Sequence, residues 1–139
     1  MGPVEEIYYG LGEICYAVTR GEKTNSSKKT EVFHKILEDE FKGQKAEFDA
    51  AEIIFQILER GEVAPKTAFQ WGLHELKLHS QYLSDSLKQH VISIVNKMAS
   101  AFQPAGAQAK SFIQNFCQEI NSIHGDPVFS YITEDRNTH

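Results

Sequence analysis

Long apolar runs, paired cysteines and an excess of positive charge are all missing from this chain. No stretch approaches the ~20 consecutive apolar residues that a membrane-spanning helix needs, so no membrane insertion is expected. The two cysteines, Cys15 and Cys117, are far apart and each sits inside an apolar helical pattern. That is no disulfide framework; both read as small buried hydrophobes in a reducing compartment. The formal charge of −5 argues against a general grip on nucleic acid, which needs a basic face to neutralise phosphates. The opening Met1-Gly2-Pro3-Val4-Glu5-Glu6 has neither the basic start nor the apolar stretch of a secretory signal, and a cytoplasmic location is expected. Alternating apolar and polar residues, the mark of a half-buried strand, are also lacking.

What is present is helical periodicity along nearly the whole chain of 139 residues, enough for one domain with a proper core. A first helix from about Glu5 to Thr19 carries Ile7, Leu11, Ile14, Cys15 and Val18 on one face. Asn25, Ser26 or Ser27 can cap a second helix, which buries Phe33, Ile36, Leu37 and Phe41 and runs to about Lys42. Asp49, with Glu52 three residues later, has the form of a capping box for a third helix, and Gly61 supplies its stop. Pro65 suits the first turn of a fourth, where its missing N–H costs nothing. Ser84 caps a fifth with the stripe Leu87, Val91, Ile94, Val95, Met98 and Phe102, broken by Pro104 and Gly106. The sixth carries Phe112, Ile113, Phe116, Ile120 and Ile123. The expected architecture is an all-α compact bundle of about six helices over residues 1–125, with a short polar C-terminal segment, 126–139, frayed at its end.

A faint two-fold repeat runs through it. Ile14 to Phe41 and Ile94 to Ile120 share one plan: apolar helix, short loop, apolar helix. With Leu11-Gly12-Glu13-Ile14-Cys15-Tyr16-Ala17-Val18-Thr19-Arg20-Gly21-Glu22 and Val95-Asn96-Lys97-Met98-Ala99-Ser100-Ala101-Phe102, the chain resembles the TerB-like family, named for a tellurite-resistance protein. The resemblance covers about residues 5–123 and rests mostly on helical apolar spacing. It implies a helical bundle with an internal repeat, and a divalent-cation-binding, stress-response role. In that family each repeat carries an Ala-x-Ala-Asp-Gly loop with acidic residues following. Here the first loop reads Ala17-Val18-Thr19-Arg20-Gly21, and the second Ala99-Ser100-Ala101-Phe102-Gln103, without either aspartate. Ser26-Ser27-Lys28-Lys29 and Ala107-Gln108-Ala109-Lys110 stand where the following acids belong. No family site residue carries over.

Several motifs fall short on spacing. His74-Glu75 with His79 resembles a zinc-protease helix, but that chemistry needs histidines at i and i+4. These two are five apart and diverge by about 140° around the helix. Glu31-Val32-Phe33-His34 matches the Glu-x-x-His element of di-iron bundles without a second copy. Gly21-Glu22-Lys23-Thr24 echoes the end of a phosphate loop but follows a helix, where a true one follows a strand.

Three surfaces stay in contention. The acids Asp39, Glu47, Asp49 and Glu52 gather around one helix junction and are candidates for a weak divalent-cation site, though without EF-hand spacing. Arg20, Lys23, Lys28 and Lys29 collect at the start of the second helix, where free N–H groups and cations suit a phosphate or a partner's carboxylate. Tyr9 and Trp71 fall off the main apolar stripes and are candidates for a partner-facing patch. With no nucleophile–base pair, no resident cofactor signature and no catalytic constellation, the leading expectation is a non-enzymatic module that binds another protein or itself. Cation binding is the alternative, and anion or acidic-partner binding through the Arg20–Lys29 loop a further one.

Overall fold

A computed structural model describes residues 2–20, 25–42, 48–102 and 106–123. The described residues form six α-helices and a single 3₁₀ turn, with no strand among them: α1 (Pro3–Thr19), α2 (Ser26–Glu40), α3 (Asp49–Gly61), α4 (Pro65–Leu78), the 3₁₀ turn Ser80–Tyr82, α5 (Asp85–Ser100) and α6 (Ala107–Asn121). The all-α bundle expected from periodicity is what forms. Among the described residues no helix is long and apolar enough to cross a membrane.

α1 is the axis of the bundle. From Gly10 to Thr19 every residue is buried, and the helix packs against α3, α4, α5 and α6. Two glycine contacts set how closely its neighbours approach. A Cβ on Gly12 would land inside the van der Waals shell of the Ala51 carbonyl oxygen and 2.5 Å from Ile54 Cγ2 of α3. A Cβ on Gly72 of α4 would lie 2.6 Å from Ile14 Cγ1 and 2.8 Å from the Gly10 carbonyl oxygen. Backbones that touch this way exclude any larger side chain at the crossing. The Tyr16 hydroxyl then donates to the Val63 carbonyl, fixing the turn into α4.

The expected punctuation holds at Ser84, whose hydroxyl accepts from the Leu87 N–H at 3.1 Å, and at Pro65, the first residue of α4. Asn25 is the residue that caps α2, accepting from the Lys28 N–H at 2.8 Å. Two ends differ from expectation. Phe48, not Asp49, is the N-cap of α3, and its ring stacks on Phe41 at 6.0 Å. The chain enters the helix where that ring can be buried, so the Asp49–Glu52 capping box does not form. At the other end Gly61 is the last helical residue and Glu62 takes the left-handed conformation, φ 49° and ψ 44°, as the Val63 N–H reaches back to the Leu58 carbonyl. The break expected at Pro104 lies outside the described residues, as does the segment 126–139.

α2 is attached differently from the rest. It packs on α5 and α3 through Phe33, Leu37 and Phe41, but polar links frame it. Lys29, only 1 % exposed, donates to the Thr19 carbonyl at 2.8 Å and lies 3.6 Å from Glu59. Glu40 accepts from Ser93 at 3.0 Å and Lys97 at 2.7 Å, and meets His90 Nδ1 at 3.0 Å. Lys88 in α5 repeats the Lys29 arrangement: fourth residue after its cap, buried, donating to the Ile123 carbonyl just past α6. Each cation thus sits at a helix C-terminus, where orphan carbonyls and the dipole favour it. This likeness pairs α2 with α5, whereas the repeat expected from sequence would pair α2 with α6.

Candidate metal centre between the first and fourth helices

α1 and α4 run antiparallel, crossing where Gly10 faces Gly72. Helical spacing then stacks Glu6, Gly10 and Glu13 along one edge of α1, opposite Gly72, Glu75 and His79 along α4. Glu6 Oε2 lies 3.3 Å from His79 Nε2, and Glu75 Oε2 lies 3.7 Å from the same nitrogen. One donor atom from each of Glu6, Glu75 and His79 falls within 4.8 Å of the others. Metal–ligand bonds of about 2.0–2.2 Å place neighbouring donors roughly 3 to 4 Å apart, so this spacing suits a small cation after minor adjustment. All three side chains are half-buried.

Glu13 makes the seam unusual. It is 3 % exposed in the middle of the apolar helix, and its Oε1 has no hydrogen-bond partner. Three buried side-chain atoms among the described residues lack a hydrogen bond, and two of them, Glu13 Oε1 and Glu75 Oε2, are here. A buried carboxylate without partners is costly, so burial here favours the protonated form. Burial, and then the charge of Glu75, pushes Glu13 up to about 8. Glu75 is raised by burial and by its contact with Glu6. Glu6 is lowered, chiefly because the Glu75 carboxyl hydrogen-bonds to it and His79 stands beside it. Burial and their mutual contact thus push the two carboxyls in opposite directions, Glu6 down and Glu75 up. Tyr9 looks onto the same edge; burial and the charges of Glu13, Glu75 and Glu6 all raise its phenol.

Such an arrangement can be neutralised by protons or by a cation. Carboxylates with one imidazole form a common donor set for divalent first-row metals. Cys15 is fully buried, and burial pushes its thiol far up.

The residues singled out from sequence are distributed as follows. Asp39 and Asp49 are exposed, and Glu47 lies outside the described residues. Glu52 is bonded to His34, which also lies 3.1 Å from Glu38. Among the described residues the one convergent group of three or more His, Cys, Asp or Glu is Glu6–Glu75–His79, so these junction acids do not join in one. Of the basic set, Arg20 lies 3.9 Å from Glu62, Lys28 is exposed, and Lys23 lies outside the described residues. Lys29 is not a loop cation at all: it is buried in the contact between α1, α2 and α3. Trp71 is 48 % exposed, while Tyr9 is half-buried at the carboxylate seam. His74 is exposed and His79 is half-buried, as their divergence around α4 requires.

Comparison with family models, curated proteins and solved structures finds no match for this chain.

Proposed function

We propose that this chain is a divalent-cation-binding helical bundle whose site is the α1–α4 seam. One observation carries the reading: Glu6, Glu75 and His79 converge within 4.8 Å, and the buried Glu75 Oε2 among them has no hydrogen-bond partner. A cation would satisfy Glu75 Oε2 and relieve repulsion among carboxyls held in a low-dielectric seam. The role agrees in kind with the cation-binding, stress-response activity that the TerB-like resemblance implies, but the ligands are helix-seam residues, not loop acids.

The test is thermal unfolding of metal-stripped protein with and without divalent ions. A ligand at about 100 times its Kd adds about 2.7 kcal/mol to stability. Glu75→Gln with His79→Gln should remove that gain, while Asp49→Asn and Glu52→Gln should retain it. Loss of the gain only in the second pair would move the site to the α2–α3 junction.

A second reading, a protein-interaction module, has its own support. Ile53, Ile57, Trp71 and Leu78 are between 48 and 62 % exposed, unusual for large apolar side chains. Concentration-dependent mass that Trp71→Ser or Ile57→Lys abolishes would favour it. A strictly monomeric protein that captures no partner would count against it. The anion or acidic-partner reading keeps Arg20 and Lys28, without Lys29; unchanged phosphate binding in Lys28→Glu would dispose of it.

A further inference from the structure

We infer that the α1–α4 seam selects a first-row transition dication of the zinc class over calcium and magnesium, with Glu6, Glu75 and the imidazole of His79 as its ligands. The inference rests on the cation reading above and names the ion.

Donor chemistry makes the first argument. One of the three convergent donors is the His79 Nε2 nitrogen, 3.3 Å from Glu6 and 3.7 Å from Glu75. Imidazole nitrogen suits zinc, cobalt, iron and nickel, whereas calcium and magnesium take oxygen. Donor number makes the second. Calcium wants six to eight oxygens at about 2.3–2.6 Å, and magnesium near-ideal octahedral geometry with several waters. The seam offers three converging side chains. Few donors at short reach match an ion that is content with four.

Rigidity makes the third argument. The seam cannot widen freely to admit a larger ion, because α1 and α4 are in backbone contact at its edge. A Cβ on Gly10 would already be 3.0 Å from both Glu75 Cβ and the Gly72 carbonyl oxygen. Glu75 is therefore anchored directly on the α1 backbone, and its carboxyl is presented at a set height along the seam. Glu13 enters from the same side. Its charge interacts with that of Glu75 across the seam. Its Oε1 is buried and unpartnered, as is Glu75 Oε2 within the converging group.

The experiment is a Co²⁺ titration of the metal-stripped full chain, with Co²⁺ as a visible stand-in for Zn²⁺. The expected result is one equivalent of intense ligand-field absorption, removed by one equivalent of Zn²⁺ and untouched by a hundredfold excess of Ca²⁺ or Mg²⁺. His79→Gln should weaken Co²⁺ and Zn²⁺ at least tenfold, with far-UV circular dichroism checking the fold. On the wild-type protein, proton NMR with Co²⁺ should show hyperfine-shifted ring signals from a single histidine, which needs no variant. Displacement of Co²⁺ by equimolar Ca²⁺ or Mg²⁺, or the absence of a shifted histidine ring, overturns the ion assignment while leaving a cation site standing. No binding of any of these ions overturns both.

Discussion

Replacing Glu13 with glutamine probes the feature that most sets this core apart. The carboxyl is 3 % exposed, with one oxygen unpartnered, and its folded-state pKa stands at about 8 against an ordinary 4.5. Between those two values the folded chain holds a proton that the unfolded chain has released. Stability is therefore fully present below pH 4.5 and lost progressively as pH rises through about 8. At 1.36 kcal/mol per pKa unit the loss is bounded at about 5 kcal/mol, and water entering the seam would lower it to about 2 to 5 kcal/mol. Glutamine keeps the shape and never ionises, so Glu13→Gln should match wild type near pH 5 and exceed it by that amount near pH 9. The assay is urea unfolding followed by circular dichroism from pH 5 to 9, with chelator present to keep the seam metal-free. A gain of about 3 kcal/mol moves the urea midpoint by roughly 1 to 3 M. Parallel pH profiles for the two proteins would refute the reasoning, because they would mean that Glu13 is not a buried proton carrier.

Gly12→Ala should destabilise by about 1 to 3 kcal/mol despite alanine's better helix propensity, since the new methyl meets a backbone carbonyl; Gly106→Ala, with nothing within 4 Å, is the control, and equal midpoints for the two would contradict the packing. Lys29→Met should cost about 3 kcal/mol or more by stranding the buried Glu59 carboxylate. The double variant Lys29→Met/Glu59→Leu should recover part of that in thermal unfolding, and a double variant no better than the single would show the pair is not coupled. Glu62→Gly should stabilise by about 1 kcal/mol, because glycine bears the left-handed conformation without a Cβ penalty. A lower melting temperature would contradict the cap.

The helices were largely written in the sequence because each carries its own period and punctuation. Ser84 before a clean apolar stripe and Pro65 at a helix start are local signals, and local signals survive folding. The carboxylate seam is a different kind of object. Glu6 and Glu75 lie on different helices, and only the glycine crossing at Gly10 and Gly72 brings them together. His79 reads as surface because its natural comparison is His74, five residues away; its actual neighbours are Glu75 at i−4 and Glu6 on α1. A local signal did exist for Glu13, an acid between Leu11 and Ile14 in a helix that turns out to be buried nearly all round. Lys29 left a trace too. It stands four residues before Phe33 and eight before Leu37, on their buried face, although adjacent Lys28 makes the two look like one exposed basic run. Ring packing is what period alone does not encode, hence the one-residue error at Phe48 and Asp49.

The central place of α1 has a consequence for how the protein is made. α1, buried on nearly every side, leaves the ribosome well before α4, which it packs against and which ends only at Leu78. At about 5–20 residues per second, synthesis from Thr19 to Leu78 takes on the order of 3 to 12 s. Throughout that interval Ile7, Leu11, Ile14 and Val18 have no native partner on α4. Such a nascent segment is a natural client for a chaperone that holds short apolar helices, and slowing translation before residue 78 should raise the yield of aggregate.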